Sequence, residues 1–409
     1  MILKPISLKF ISFLSAFIIP LLVTGPFLPD LLLSILSLFF LYLCLRNNFY
    51  KFFYNNYFLV FLIFWVVCIL SSLLSDDILL SLKSSLAFIR IGIFAILISF
   101  LIKQDESILK YFYFFFFLTF SILIIDGYYQ YFNKYNLLGF PVGTHDRVSS
   151  FFGDELILGS YLVRLTPLFI ALFVIRENKK NIEKIIFLII LILTSVLIFI
   201  SGERASMLFF LIGSIFLLIF LSKFKKINFI IFLIIVSIIS IILTSDSKLN
   251  DRYIKSPIES MFVDEPKHKI TFFSETHDSL IRTAWNMFLD KPILGHGPKM
   301  YRKKCNDPTL MVGISPCQPH PHNFYIQLLA ETGFVGFSFL AGLLIFFTFV
   351  ILKHTKKYIF DGKIWLSDYK ICLFAGLLIT IWPITTNGNF FTNHLMILYG
   401  LQMGFFIKK

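Results

Sequence analysis

Apolar runs long enough to cross a lipid bilayer recur along the whole chain, and almost all of them lack charged residues in their interior. Hydrophobic residues make up 57% of the sequence and charged residues only 15%, with a mean hydropathy of +0.82. A soluble domain of 409 residues cannot bury that much apolar surface, so the chain is predicted to be a polytopic membrane protein. The runs show no alternation of period two, which favours transmembrane helices over the strands of a membrane barrel.

We predict an all-α fold with about twelve transmembrane helices. They are expected at about 8–24, 28–45, 57–74, 80–101, 111–126, 156–175, 185–200, 205–222, 227–244, 326–352, 371–386 and 394–407. This pattern divides the chain into three parts. Nine helices occupy residues 1–244, a large loop occupies 245–325, and three helices occupy 326–409.

The distribution of lysine and arginine predicts which helix ends face the cytoplasm. Twenty basic residues fall at the chain ends and in the loops on the side of the N-terminus, whereas the short loops of the other side hold only Lys134, Arg147 and Arg204. Because cytoplasmic loops are enriched in basic residues, both termini are predicted to be cytoplasmic. The loops at about 127–155 and 245–325 are then external. The same bias accounts for the net charge of +13, and no nucleic-acid-binding motif accompanies it.

The external loop at 245–325 is too long for a simple connection and is predicted to fold as a small lid or domain. Pro292 ends a run of apolar residues at helical spacing, which comprises Leu280, Ile281, Ala284, Trp285, Phe288 and Leu289. This run predicts an amphipathic helix on the membrane surface or on the bundle. Cys305 and Cys317 also fall in this loop, where an oxidising compartment would allow them to form a disulfide.

Arg204 stands in a very short turn between two predicted spans, at the N-terminal end of the second. A cation at this position opposes the helix dipole, so the position is unfavourable unless an anion joins it. The free amides of a helix start and the planar guanidinium fork suit the oxygens of a diphosphate. The alternative is that Arg204 pairs with Glu203 or reaches lipid headgroups.

Two other external arginines have simpler explanations as members of ion pairs. Arg282 follows Asp278 by four residues on the predicted loop helix, which is the spacing of a helical ion pair. Arg147 is close in sequence to Asp146 and Asp154. From spacing alone, a structural pair is favoured over ligand binding for both arginines.

Two histidines and an asparagine precede a predicted span in the segment His320-Pro321-His322-Asn323. With an ordinary pKa of about 6.5, the imidazole of His322 can accept a proton at neutral pH and act as a general base. A histidine that only bonds loop backbone is equally compatible with the sequence. A metal site is a third reading, although the spacing is a weak signal for one; its ligands would be His277, His296, His320 and His322.

Two glycine patterns lie near these histidines. Gly333 and Gly336 share one face of the following helix, which predicts that a neighbouring helix approaches closely there and positions the His-Asn pair. The segment Gly295-His-Gly297-Pro298 follows no predicted strand and opens no evident helix, so it is predicted to be a turn.

Three of these elements together resemble the O-antigen ligase family, the WaaL-type and Wzy-related membrane glycosyltransferases. His322-Asn323, followed after nine residues by Gly333-x-x-Gly336, is similar to the family's histidine motif. Arg204-Ala-Ser-Met-Leu208 resembles its Arg-x-x-x-Leu element, and Arg282-Thr-Ala-Trp285 with Pro292-Ile-Leu-Gly295 resembles the stretch before its histidine. The resemblance extends from about residue 147 onward, whereas the N-terminal spans match only in number and hydrophobicity.

The resemblance implies a GT-C-like helical fold and a metal-independent glycosyltransferase without a cofactor. Its donor would be a glycan on undecaprenyl diphosphate, and its site would face the periplasm at the bacterial inner membrane. The resemblance also implies that His322 is the base and that Arg204 and Arg282 hold the diphosphate. Arg147 and Asn323 are predicted to contact substrate as well. The partners are the lipid-linked donor, the lipid A–core or another acceptor, and membrane lipids, but no nucleic acid.

The same motifs leave other functions open. An O-antigen polymerase or a protein O-oligosaccharyltransferase of the same superfamily would share them. A transporter or flippase of lipid-linked sugars belongs to a different class, and ionisable residues buried within spans would favour it. The spans hold Lys83, Arg90 and Arg164, whose long side chains are expected to snorkel from near the helix ends. An O-antigen ligase is therefore the leading prediction.

Overall fold

The chain forms a helical bundle with an extension at one end, in a computed structural model that describes residues 5–176, 179–223, 225–262 and 274–407. For residues 5–7 and 260–262 only the backbone is described. The basic residues counted at the chain ends, Lys4, Lys408 and Lys409, lie outside these ranges, as do residues 263–273 of the long loop. No β-strand occurs in the described ranges, in agreement with the predicted all-α fold.

Sixteen α-helices are present in the described ranges. In order they are α1 (Pro5–Leu21), α2 (Phe27–Asn47), α3 (Asn56–Leu73), α4 (Ile78–Gln104), α5 (Ile108–Asn133), α6 (Leu158–Ile175), α7 (Asn181–Ile200), α8 (Arg204–Phe220), α9 (Lys225–Ser245), α10 (Ser247–Asn250), α11 (Ser256–Phe262), α12 (Glu275–Asp290), α13 (Tyr301–Lys304), α14 (Phe324–Asp361), α15 (Asp368–Thr380) and α16 (Asn393–Ile407).

Each of the twelve predicted spans overlaps one of these helices. Among the described residues, eight helices are long and apolar enough to cross a membrane, namely α2 to α7, α9 and α14. Helices α1 and α8 carry shorter apolar stretches, and α15 and α16 have 13 and 15 residues. The count of about twelve spans therefore stays a prediction, as does the external placement of the long loop.

Helices α4, α6, α15 and α16 form the centre of the bundle. Helix α16 packs along α4, and α15 packs along α6. Every residue of α4 from Ile91 to Ile102 is buried, which requires neighbours on all sides of that stretch. In α9 only Ile235 and Ile239 are buried, so its remaining apolar surface is left for lipid.

Several segments meet at the end of the bundle that carries the long loop, which we call the site end. They are residues 134–157, 201–203, 381–392 and the described part of 246–323. The carboxylate of Asp76, between α3 and α4, accepts from Lys291 Nζ at 3.0 Å and also pairs with Lys304. These ion pairs tie the long loop to the bundle.

The described part of the long loop packs on the first turns of α14 and shares a small hydrophobic core with Ile326 and Ala330 of that helix. The predicted amphipathic helix is α12, which packs on α14. Leu280 and Ala284 of α12 are fully buried in this core, whereas Trp285 and Leu289 are exposed. Cys305 and Cys317 form a disulfide with their Cα atoms 4.8 Å apart. The bridge ends one residue before Gln318, which contacts His322 (below).

Helix α14 is interrupted at Gly333, whose backbone is left-handed and extended (φ 64°, ψ −169°). The turn 292–297 docks into this interruption. His296 N and Gly297 N donate to the carbonyls of Ala330 and Glu331, and the amides of Phe334 and Val335 donate back to Pro292 and Ile293. The predicted turn is therefore present, and it satisfies the backbone groups that the break in α14 leaves free.

The predicted role of the glycine pair is wrong. A Cβ at Gly333 would overlap the carbonyl of Ile293, which belongs to the docked turn and not to a neighbouring helix. A Cβ at Gly336 would meet the side chain of Thr332 in the same helix. The glycines allow a loop to close on a broken helix, and periodicity along one helix face gives no sign of this arrangement.

Candidate functional site

Three arginines surround the turn between α7 and α8 at the site end. Arg252 Nε donates to Gly202 O at 2.8 Å, and Arg204 Nε donates to Arg252 O at 2.8 Å. Arg147 donates to the carbonyls of Leu156 at 3.0 Å and Ser201 at 3.5 Å. We call Arg147, Arg204 and Arg252 the basic cluster. Its side chains come from parts of the chain about fifty residues apart.

The fit of Arg147 into this cluster depends on Gly202, which has a φ of +70°. A Cβ at Gly202 would lie 2.9 Å from Arg147 Cγ, so the stem of the arginine packs against the bare turn. The predicted pair of Arg147 with Asp146 does not form, because that carboxylate binds Lys134 and Lys248 instead. Arg147 is thus left with backbone carbonyls as hydrogen-bond acceptors.

Glu203 is the acidic residue of this turn, and its carboxylate is already engaged. It accepts from the amides of Gly159 at 2.6 Å and Ser160 at 3.1 Å, and from Ser206 Oγ at 2.9 Å. Burial raises the pKa of Glu203, while Ser206 and the charge of Arg147 lower it. Because this carboxylate accepts hydrogen bonds from the first amides of α6, the three arginines of the basic cluster keep an excess of positive charge.

Three histidines lie together beside the start of α14. The ring centroids of His320 and His322 are 4.1 Å apart, and those of His277 and His322 are 5.5 Å apart. His322 Nε2 lies 2.6 Å from Gln318 Oε1. We call His277, His320 and His322 the histidine cluster.

The surroundings of the histidine cluster favour the neutral form of its rings. Burial lowers the pKa of His322, and the neighbouring His277 lowers it further. Burial also lowers the pKa of His320, to about 3, with a contribution from His322. A neutral imidazole has a free electron pair, so each ring can accept a proton from a substrate hydroxyl.

The backbone around His322 is held by the segment between α15 and α16. His322 has a left-handed φ of 56°, and its carbonyl accepts from Asn387 N at 2.6 Å. Asn323 caps α14 through Tyr325 N and Ile326 N, and its Nδ2 donates to Pro383 O at 2.7 Å and Thr385 O at 3.2 Å. We call residues 381–392 the seat segment, because it fixes the place of His322.

The basic and histidine clusters are neighbours. Burial lowers the pKa of His277, and the charge of Arg204 lowers it further, which places that guanidinium within electrostatic reach of the ring. His277 in turn contacts His322. The structure therefore brings Arg147, Arg204 and His322 to one side of the bundle, as a common site requires.

Arg282 belongs to neither the basic cluster nor the histidine cluster. Its Nε pairs with Asp278 Oδ2 at 2.6 Å, and its side chain is 51% exposed. This is the ion pair that the spacing favoured. Among the described residues, no hydrogen bond or ion pair joins Arg282 to Arg204 or His322.

Two members of the site, Arg252 and Gln318, were not found from the sequence. Arg252 lies in a stretch without a motif, and nothing local indicates that it folds back onto Gly202. Gln318 precedes His322 by four residues, but outside a helix this spacing predicts no contact. His277 entered only as one of four candidate metal ligands. His296, the fourth, lies elsewhere, buried at 3.0 Å from Met287 O.

The described residues contain no group of three or more His, Cys, Asp or Glu side chains placed to hold a metal ion. Two apolar cavities open below the site. One of about 600 Å³ is lined by α3, α4, α14 and α16 and reaches Phe324, the residue after Asn323. The other, of about 180 Å³, lies between α6, α7, α8 and α9 and reaches Ile198, just below the basic cluster.

Comparison with known proteins bears on the same part of the chain. Residues 189–341 match the family model described as O-antigen ligase. The matched stretch includes Arg204, Arg252, Arg282 and the histidine cluster. No curated protein matches the chain. The match confirms the resemblance to the O-antigen ligase family over this stretch and supports the superfamily of O-antigen ligases and polymerases. Together with its apolar helices, it indicates a multi-pass bacterial membrane protein.

Proposed function

We propose that this protein is an O-antigen ligase, which transfers a glycan from undecaprenyl diphosphate to the lipid A–core on the periplasmic face of the inner membrane. The observation that carries the proposal is that the basic cluster and His322 lie together at the site end of the bundle. The basic cluster can bind an anion, and His322 can accept a proton from the substrate. The family match over residues 189–341 supports this class of reaction.

The proposed reaction needs one bond to form and one to break. The acceptor hydroxyl oxygen attacks the anomeric carbon of the donor sugar while the bond from that carbon to the diphosphate oxygen breaks. His322 takes the hydroxyl proton, and the basic cluster stabilises the negative charge that develops on the leaving diphosphate. The products are the glycosylated acceptor and undecaprenyl diphosphate.

The apolar cavities support a lipid substrate for this site. The cavity that reaches Ile198 lies directly below the basic cluster, so a lipid whose diphosphate binds there can lay its chain between α7, α8 and α9. The cavity that reaches Phe324 lies below the His322–Asn323 pair and suits an acyl chain of the acceptor. Both cavities are lined mostly by apolar side chains, as lipid chains require.

Arg282 and Asn323 take narrower roles in this proposal. Arg282 would reach the diphosphate only by exchanging its ion pair with Asp278, which donor binding would have to drive. The amide of Asn323 already caps α14 and binds the seat segment. Asn323 would therefore act on the substrate through the position of His322. Arg252 joins Arg147 and Arg204 as a third contact to the diphosphate.

Purified protein in an acceptor-resolved transfer assay tests the proposal. The donor is a radiolabelled glycan on undecaprenyl diphosphate, offered with rough lipopolysaccharide, with excess donor alone, or with a serine-containing peptide. Label on the lipopolysaccharide supports a ligase. Label only on a lengthened donor glycan or on the peptide replaces the ligase with a polymerase or a protein transferase.

The matched variants in this assay are Arg204→Ala and Arg46→Ala. Arg204 belongs to the basic cluster, whereas Arg46 lies at the opposite end of α2 from the site and donates to Tyr42 in its own helix. Loss of transfer in Arg204→Ala with full transfer in Arg46→Ala is the expected result. Movement of the intact donor across vesicles without a new glycosidic bond would instead indicate a transporter.

A further inference from the structure

Arg164 is a fully buried arginine within α6, with 2% of its surface exposed. The expectation that it snorkels to a helix end is wrong. No ion pair to a carboxylate forms at Arg164 among the described residues; its guanidinium stacks over Phe209 at 4.8 Å and donates to Ser160 in its own helix. Burying a cation without an acidic partner is costly, so such residues within membrane spans mark function more often than packing.

A chain of hydrogen bonds leads from Arg164 to His322. Arg164 Nη2 donates to Asn387 Oδ1 at 2.9 Å, and the backbone amide of Asn387 donates to His322 O at 2.6 Å. Asn387 is itself buried, with 4% of its surface exposed. The guanidinium thus holds the one residue of the seat segment that binds the His322 backbone, where the φ of 56° requires support from outside the loop.

A second chain leads from Arg164 to the basic cluster. The guanidinium donates to Ser160 Oγ, and the backbone amide of Ser160 donates to Glu203 Oε2 at 3.1 Å. Glu203 immediately precedes Arg204 and is close enough to Arg147 for that arginine's charge to lower its pKa. The first turns of α6 therefore connect the turn that carries the arginines to the segment that carries the histidine.

We propose that Arg164 is a positioning residue that fixes His322 relative to the basic cluster through Asn387 on one side and Ser160–Glu203 on the other. The catalytic effect of Arg164 rests on the proposed function, because that reaction needs the base and the diphosphate at a fixed separation. Arg164 does not touch the substrate. A guanidinium suits this role because its planar fork reaches two partners at once, which a lysine cannot do in the same geometry.

The test compares Arg164→Met with Arg90→Met. Methionine keeps the length and apolar bulk of the arginine stem while it removes the fork. Arg90 is the matched control, since its side chain is only 20% exposed within a helix of membrane-spanning length, it pairs with Asp30 at 2.6 Å, and among the described residues it forms no hydrogen bond or ion pair with the seat segment. If Arg164→Met does not fold, Asn387→Leu removes the same contact from the other side.

The first readout needs no substrate. Diethyl pyrocarbonate acylates neutral imidazole, and mass spectrometry of the peptides reports its rate at His322, with the exposed His145 as internal standard. Loss of the Asn387 contact is expected to speed the reaction of His322 several-fold in Arg164→Met and to leave it unchanged in Arg90→Met. An unchanged rate at His322, or equal changes in both variants, would overturn the proposal.

The second readout uses the transfer assay. A misplaced base is expected to lower kcat about 10- to 100-fold while the KM for the undecaprenyl diphosphate donor stays near the wild-type value. Arg164→Lys retains one donor toward Asn387 and should recover part of the loss. A parallel loss of donor binding, as a folding defect would give, contradicts a positioning role. Absence of transfer in wild-type protein would refute the proposed function. The acylation rate of His322 would then still test whether Arg164 positions His322 through Asn387.

Discussion

At the scale of single residues, the environment of His322 determines what its ring can do. A solvated imidazole is about half protonated near pH 6.5 and is then a poor base. Burial lowers the pKa of His322, and His277 lowers it further. A lowered pKa keeps a larger share of the rings neutral as the pH falls, so more of them can still accept a proton. Gln318 Oε1, 2.6 Å from Nε2, holds the Nε2 edge of the ring in place.

The pH dependence of transfer follows from this environment. For a base that must be neutral, activity is lost as pH falls through its pKa, so the acidic limb of kcat/KM should have its midpoint below 6.5. His277→Gln removes one cause of the lowered pKa and should move this midpoint to higher pH. Burial, the larger cause, remains, so the midpoint should stay below 6.5. A midpoint that does not move, or that also moves in the exposed control His145→Gln, would contradict the assignment.

Arg252 and Arg282 are expected to contribute unequally to donor binding. Arg252→Ala should weaken binding of undecaprenyl diphosphate about 10-fold or more, since a hydrogen bond to a charged group contributes about 1.5–3 kcal/mol. Arg282→Ala should weaken it less, because Arg282 first has to leave Asp278. Titration of the purified variants with undecaprenyl diphosphate measures both. A larger loss of affinity in Arg282→Ala than in Arg252→Ala would contradict this order and would show that donor binding rearranges α12.

At the scale of helices, interruptions matter more than lengths. Helix α14 breaks at Gly333, where the turn 292–297 closes on it, and the first turn of the same helix is capped by Asn323. The segment between α15 and α16 is irregular for a dozen residues and forms the seat of His322. Non-helical backbone near membrane depth is tolerated where it is buried within protein, as it is here.

Gly333→Ala tests the break in α14. An alanine at φ 64° and ψ −169° is strained, and its Cβ would overlap the Ile293 carbonyl, so we expect a destabilisation of about 1–3 kcal/mol or more. Gly342→Ala in the same helix is the control, because a Cβ there has no atom within 4 Å. Thermal unfolding in detergent should separate the two. Equal melting temperatures would mean that the docked turn contributes nothing to stability.

The helices could be predicted from the sequence far better than the breaks. Apolar runs and the spacing of Leu280, Ala284 and their neighbours predict the helices of the bundle and α12, because those signals are local. The role of Gly333 has no local signal in the sequence, because the group that packs against it is the carbonyl of Ile293, forty residues earlier in the chain. The ion pair of Arg282 with Asp278 could also be predicted from the sequence, because the two residues are four apart in one helix and the signal is again local.

At the scale of the whole molecule, the site is assembled from distant segments. Arg147, Arg204 and Arg252 meet through contacts that span about fifty residues, and His322 depends on Asn387. Sequence reasoning could place Arg147, Arg204 and His322 at one membrane face because topology alternates from span to span. It could not find Arg252, Gln318 or Arg164, whose roles depend on tertiary contacts.

The orientation of the bundle is open to direct measurement. Single cysteines at Leu138 and Lys363, both exposed, are expected on opposite membrane faces in a background without Cys44, Cys68 and Cys372. A membrane-impermeant maleimide added to intact spheroplasts should label Leu138→Cys, whereas Lys363→Cys should react only after permeabilisation. Labelling in the reverse order would place the site end in the cytoplasm and would exclude a periplasmic reaction.

The most direct test of the whole account measures donor binding and transfer in His322→Ala. The basic cluster is intact in this variant, so undecaprenyl diphosphate should bind with nearly the wild-type affinity. Transfer to the acceptor should fall about 100- to 10,000-fold, the usual contribution of a general base. Transfer at the wild-type rate by the donor-saturated variant would show that His322 takes no proton and would contradict the account.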